Sequence, residues 1–237
     1  MAFNGKVVIV AGGTGALGRA VALAFLDAGA TLAVTYRRKE EFAALAAVTG
    51  ARTARLEGRA VDATDEAAVR QFVEGVVAKH GHLDALVNAI GGFAGGTKLW
   101  ETESKIYEQM LALNLRPCFT LARAAMPFML RQKRGALVNV ASKAALGRAA
   151  GAAAYAASKA AAVALYDSLA EEVKGTGVRV NSVLPSIIDT EANRQAVPGA
   201  DYLKWPKPEE IARVILFLAS DEARLINGAA IPVYGES

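Results

Sequence analysis

Seven short apolar runs recur along the chain, separated by stretches too long for hairpin turns and long enough for helices. They are Lys6–Ala11, Thr31–Tyr36, Thr53–Ala60, Asp84–Asn88, Ala136–Ala141, Val178–Leu184 and Ala230–Val233. Most are continuously apolar rather than alternating, as strands covered on both faces are. Helical patterns fill the gaps near 16–28, 39–48, 65–79, 104–132 with a break near Asn114, 153–174 and 208–219. Such alternation predicts an α/β fold: one doubly wound domain over residues 1–237, with a parallel sheet of about seven strands and helices on both faces. Right-handed crossovers then bring the carboxyl ends of all strands to one edge, where ligands bind.

Composition narrows the classes further. With 53% hydrophobic and 21% charged residues the chain is too apolar to be disordered. Its one cysteine, Cys118, excludes an internal disulfide and a cysteine-based metal cluster. Two histidines, His80 and His82, argue against a multi-histidine metal site, and no metal is expected. Both read as helix-end or loop residues, and Cys118 as a small buried hydrophobe. The charge balance, 27 basic to 23 acidic, is mild and scattered, so no nucleic-acid partner is called for. Phe3-Asn4-Gly5-Lys6 leads straight into the first strand without a secretory pattern. The stretch nearest to a membrane span, 149–166, is interrupted by Lys159; no membrane partner and a cytoplasmic location are expected.

After the first strand comes Gly12-Gly13-Thr14-Gly15-Ala16-Leu17-Gly18 and then a helix. Glycines at 12, 15 and 18 suit a tight turn whose backbone approaches a pyrophosphate, with the helix amino end supplying N–H groups and a positive dipole. The second strand ends in Tyr36-Arg37-Arg38, at the position that faces the adenine ribose in a dinucleotide site. An acid there would grip the ribose hydroxyls and repel a 2′-phosphate. Two arginines instead favour NADP(H) over NAD(H). Asp62, beside Ala63 at the end of the third strand, is placed to accept from the adenine amine or to cap the next helix, although Thr64 and Asp65 suit capping better.

The helix from about 153 carries Tyr155-Ala156-Ala157-Ser158-Lys159, which puts Tyr155 and Lys159 one turn apart on one face. A tyrosine ionises near ~10, and a cation within ~4–6 Å lowers that by ~1–3 units. As an acid, neutral tyrosine already holds the proton it must give. Ser142 ends the fifth strand at the same sheet edge.

Together these motifs make the chain resemble a short-chain dehydrogenase/reductase over nearly its whole length. The glycine loop matches with one departure: Ala16 stands where the usual middle glycine falls. Asn88-Ala89-Ile90-Gly91 is an altered form of the family's Asn-Asn-Ala-Gly element. Asn114, Ser142, Tyr155 and Lys159 match its catalytic residues, and Asn181 to Ser186, with Pro185, Ile188 and Thr190, resembles the segment over the nicotinamide carboxamide. Ser186 replaces a usual glycine. The resemblance implies a Rossmann fold and hydride transfer from nicotinamide to a C=O or C=N. It implies that Tyr155 protonates the product, Lys159 binds the nicotinamide ribose and lowers the tyrosine pKa, Ser142 polarises the substrate and Asn114 holds a relay water. It implies too a homotetramer or homodimer packed through the helices around 115–132 and 149–164.

Local features are similar to dihydropteridine reductase: Gly91-Gly92-Phe93-Ala94-Gly95-Gly96, Lys143-Ala144-Ala145-Leu146, and Asp189-Thr190 with Asn193, Arg194 and Trp205. Gly92, Phe93, Ser142, Asn193 and Trp205 are the candidate substrate residues, with Phe93 and Trp205 offering flat faces to a planar heterocycle or only packing a lid over 186–207. That enzyme carries an acid after its second strand and lacks the serine; this chain has Arg37-Arg38 and Ser142. The expected activity is NADPH-dependent reduction of a small carbonyl, with a quinonoid pterin as the alternative substrate and a non-catalytic dinucleotide sensor as the alternative class.

Overall fold

The computed structural model describes residues 1–147 and 150–237. Its single sheet joins β1 (Val7–Ala11), β2 (Thr31–Tyr36), β3 (Leu56–Ala60), β4 (Ala85–Asn88), β5 (Gly135–Val140), β6 (Val178–Pro185) and β7 (Ala230–Val233). The order is β3-β2-β1-β4-β5-β6-β7, with every neighbouring pair parallel. Strand order reverses between β1 and β4, which opens the crevice at the carboxyl edge that ligands use in such sheets. The helices are α1 (Ala16–Asp27), α2 (Lys39–Thr49), α3 (Glu66–His80), α4 (Ser104–Asn114), α5 (Arg116–Gln132), α6 (Ala153–Glu172), α7 (Glu191–Ala196) and α8 (Pro208–Ala219).

Residues of one strand divide between two cores. Ile9, Leu86, Leu137 and Val180 face α3, α5 and α6, against Phe72, Leu121 and Tyr166. Val8, Val10, Val34, Val138 and Val183 face α1 and α8, against Phe25, Ile211 and Ile215. Burial on both faces is why the strands read as unbroken apolar runs.

Three expectations change. The third strand begins at Leu56 rather than Thr53, because Gly50–Arg55 forms a tight helical turn. The Thr53 hydroxyl donates to the Gly50 carbonyl at 2.7 Å, the Thr49 hydroxyl donates back to the Ala46 carbonyl in α2 at 2.7 Å, and Gly50 sits at φ +55°. The helix expected to 174 ends at Glu172. A short helix, α7, lies inside the lid, where none was expected. The break near Asn114 stands as expected: Pro117 opens α5, where its missing N–H costs nothing. Ala149, in the alanine-rich stretches 149–166 and 149–164, lies outside the described residues.

His80 and His82 sit at the sheet's opposite edge. His80 pairs with Glu57 at 2.9 Å and His82 with Asp84 at 3.1 Å, structural roles that match their reading from sequence. Among the described residues no helix is long and apolar enough to cross a membrane, and no group of three or more metal-ligating side chains comes together.

Candidate active site

The glycine loop is a cradle that side chains would fill. Gly12 adopts φ +76°, and its N–H donates to the Thr35 hydroxyl at 2.9 Å. A Cβ on Gly18 would sit 2.0 Å from the Gly12 carbonyl oxygen, and one on Gly13 2.6 Å from the Val34 side chain. Gly15 differs: its nearest contact would be 3.6 Å, so the space above α1 is open. Gly15 caps α1 without a side chain, and the first turn, starting at Ala16 and Leu17, holds no acid. The free N–H groups and dipole at this helix start suit an anionic group such as a pyrophosphate; Gly15 and Ala16 are exposed there, Gly12 and Thr14 half-buried, and Leu17 and Gly18 buried.

At the end of β2, Tyr36 stacks on Phe42 at 5.1 Å and 17°. Arg38 does not stand free. It forks onto the Glu41 carboxylate, Nε at 2.8 Å and Nη2 at 2.5 Å. The Thr14 hydroxyl donates to the other Glu41 oxygen at 3.1 Å. The Arg38 hydrogen bond, first among its causes, holds the Glu41 carboxyl below its ordinary pKa. Arg37 is exposed and forms no ion pair among the described residues. Asp62 accepts from the Thr64 N–H at 2.9 Å and hydroxyl at 2.7 Å, which lowers its pKa, while Asp65 caps α3. Ala63 is buried beside it.

The chemical groups converge from four elements. Ser142 leaves β5 in extended conformation, and its hydroxyl accepts from the Ala144 N–H at 3.2 Å. Burial raises the Tyr155 pKa, and a hydrogen bond with Ser142 pulls in the opposite direction. Lys159, one turn on, is 5% exposed; burial lowers its pKa to about 8. It donates to the Val140 carbonyl at 3.0 Å. Gly91 keeps this space clear, since a Cβ there would lie 2.9 Å from the Lys159 nitrogen and 3.0 Å from Asn114 Oδ1.

Asn114 closes α4 and bonds both ways to Gly92: its Oδ1 accepts from the Gly92 N–H at 3.0 Å and its Nδ2 donates to the Gly92 carbonyl at 3.1 Å. Nδ2 also donates to Ser158 Oγ at 3.1 Å, and that hydroxyl donates to the Tyr155 carbonyl at 2.7 Å. Asn114 thus ties the β4 exit to the helix that carries Tyr155. Asn88 at the end of β4 accepts from the Ile90 N–H at 3.2 Å and donates to Asn139 at 3.2 Å, which fixes the Asn88-Ala89-Ile90 turn.

On the substrate side Phe93 lies edge-on to Tyr155, ring centres 5.0 Å apart at 75°, and is 67% exposed. Gly95 leaves it room, because a Cβ there would be 2.7 Å from the Phe93 ring. Trp205 behaves otherwise. It is 6% exposed and packs on Tyr202 at 4.9 Å, so of its two expected readings the lid-packing one describes it, and it offers no face to a ligand. Asn193 is likewise spent on the lid, donating to the Ile188 carbonyl at 2.8 Å, while Thr190 Oγ1 accepts from the Asn193 N–H and caps α7. Pro185 ends β6, and Ile188 packs against the second core.

Three participants were not singled out as site residues from sequence. Glu41 was signalled only by its i,i+3 spacing from Arg38. Ser158 gave no separate signal. Cys118 is buried as expected, but its thiol donates to the Asn114 carbonyl at 3.2 Å and accepts from Asn88 at 3.2 Å, and burial pushes its pKa up to about 11.

The family model for short chain dehydrogenase matches residues 6–201. A 3-oxoacyl-[acyl-carrier-protein] reductase of Thermotoga maritima is 31% identical, over 99% of this chain and 98% of that protein. A D-threitol dehydrogenase of Mycolicibacterium smegmatis is 36% identical, over 98% and 92%. Among solved structures, a protein named ElxO with NADP bound superposes with TM-score 0.91 and 26% identity, covering 97% of each chain. An NAD+-bound xylitol dehydrogenase does so with TM-score 0.91 and 26% identity, covering 99% of this chain and 100% of that one. The chain belongs to the short-chain dehydrogenase/reductase family and is an NAD(P)-dependent oxidoreductase.

Proposed function

We propose that the protein reduces a small carbonyl compound with NADPH, and in the reverse direction oxidises the corresponding alcohol. The observation that carries this reading is the Ser142–Tyr155 hydrogen bond at the carboxyl edge, with Lys159 buried one turn on in the same helix and Asn114 bonded behind them. A regulatory dinucleotide sensor has no need of that proton-handling set.

The loop from Gly12 to Gly18, the turn at Asn88-Ala89-Ile90, Asp62-Ala63, Tyr155, Lys159 and the segment Pro185, Ile188, Thr190 would hold the dinucleotide. When bound, the nicotinamide supplies the hydride. The rest is done by the chain. Ser142 donates to the substrate oxygen and orients its carbon. Tyr155, neutral at pH 7 as an ordinary phenol is and held further from ionisation by burial, delivers its phenolic proton to the oxygen as negative charge develops. The Lys159 ammonium stabilises the phenolate left behind. Asn114 fixes the backbone through which that site is closed. Arg37 and Arg38 favour a 2′-phosphate on the adenosine ribose by charge.

One observation supports a second reading. The exposed Phe93 ring beside Tyr155 would lie along a planar heterocycle, as reduction of a quinonoid pterin requires. The deciding experiment measures initial rates of NADPH oxidation with a diketone, a 3-oxoacyl ester and a quinonoid dihydropterin at equal concentration. Turnover of the ketones is expected; turnover of the pterin alone would replace the first reading by the second.

A homodimer or homotetramer is also proposed. The groove formed by Leu111, Leu115, Phe119 and Leu165 along α4, α5 and α6 is apolar and open, and sedimentation velocity should show a species larger than the 24.7 kDa chain.

A further inference from the structure

We propose that Glu41 sets the choice between phosphorylated and unphosphorylated dinucleotides, by opposing entry of a 2′-phosphate. The inference rests on the reading that Arg37 and Arg38 receive that phosphate.

One carboxylate bridges two parts of the nucleotide site. Its Oε2 accepts from Thr14 in the phosphate-binding loop, and its Oε1 takes the fork of Arg38 at the end of β2. Two consequences follow from charge and geometry. The Nε–Nη2 edge, one of the two with which Arg38 can clasp a phosphate, is already used. A negative charge also stands beside the place where a doubly negative group must enter. Arg37 forms no ion pair among the described residues, and its charge acts on both Glu41 and Asp62, so it faces the same region with its donors uncommitted. The Arg38–Glu41 pair is exposed, and such pairs exchange readily. A phosphate displaces the carboxylate from Arg38, but against a like charge that Thr14 holds in place.

An unphosphorylated ribose meets the opposite situation. Its hydroxyls are donors, and Glu41 is an acceptor approaching from the first turn of α2. It stands in for the acid missing at the end of β2, from a different element. The chain therefore carries reading groups of both signs, and Glu41 sets the balance between them.

The test is calorimetric titration of the wild-type protein, Glu41→Gln and Glu40→Gln with adenosine 2′,5′-bisphosphate and with adenosine 5′-diphosphate, alongside kcat/KM for NADPH and NADH. Glu40 is an exposed neighbour outside the bridge, so its variant counts charge alone. Glu41→Gln is expected to raise the preference for the 2′,5′-bisphosphate about five- to tenfold, and Glu40→Gln less than twofold. A ratio in Glu41→Gln that stays within twofold or falls overturns the proposal. So does an equal rise in both variants, which would make the effect general rather than local. Thermal melts check that each variant is folded. Arg37→Ala/Arg38→Ala in the same assay judges the underlying reading separately. If that double variant keeps the wild-type preference, the arginines do not read the phosphate, whatever Glu41→Gln shows.

Discussion

The two ends of the nucleotide cleft handle charge in opposite ways. At the adenosine end Arg37, Arg38, Glu41 and Asp62 lie at the surface, and water and counter-charges moderate each of them. At the chemical end Asn114, Ser158 and Lys159 are buried, and Lys159 bonds the neutral Val140 carbonyl rather than an acid. Surface charges are screened by water and exchange partners at little cost. A buried ammonium does neither. Selectivity is thus assigned to the screened end and proton transfer to the dry end, so substitutions at the first should shift ratios and at the second should remove rate.

The largest expected effect is Tyr155→Phe. It removes the proton donor and should lower turnover by about 10²- to 10⁴-fold, with nucleotide affinity held; a stopped assay and a separate binding titration distinguish the two. Near-normal turnover would take Tyr155 out of that role.

Lys159 gives a sharper version, because rate and stability should move in opposite directions. Its pKa falls from 10.5 to about 8 through burial. Between those values the unfolded chain binds the proton that the folded chain has released, so this group's contribution to stability rises with pH across that window and is unfavourable below it. Lys159→Met should cost turnover as severely as the tyrosine change yet raise the melting temperature by a few degrees, on the order of 2 kcal/mol. In the reductive direction kcat/KM of the wild type should fall as pH rises through about 8, as the ammonium is lost.

The cradle offers an intermediate effect inside one loop. Gly18→Ala drives a Cβ into the Gly12 carbonyl and should destabilise by about 1–3 kcal/mol, whereas Gly15→Ala meets nothing closer than 3.6 Å and should melt within about a degree of wild type. Equal losses would mean that the loop is not built as described.

The smallest effect belongs to the surface end. Arg37→Ala/Arg38→Ala should weaken NADPH about tenfold more than NADH in KM, with kcat little changed. Equal weakening of both cofactors would reduce the arginines to a general field.

Much of the fold was legible because strands covered on both faces leave continuous apolar runs, and Pro117 marks where α4 gives way to α5. The start of β3 was not, since Thr53 to Arg55 has the composition of a strand but closes on itself through threonine hydroxyls. The six-residue α7 is too short to show a period. In the site, Tyr155 and Lys159 were visible from their spacing of four and Ser142 from its place at the end of a strand, while Asn114 was visible only through the family resemblance. What spacing does not carry is whom a side chain already serves: Asn193 and Trp205 look available in sequence and are occupied by the lid, while Arg38 looks free and is held by Glu41.

The buried amine of Lys159 has a consequence for binding itself. Among the described residues its hydrogen bond goes to Val140 alone, which leaves the remaining donors of an ammonium unanswered. Any ligand hydroxyl that accepts from them stabilises the cation and draws its titration back upward. Near pH 8 association should then be accompanied by capture of a fraction of a proton from the medium. The heat of binding would vary with the ionisation enthalpy of the buffer, so that the amine couples occupancy of the cleft to the acidity of its surroundings.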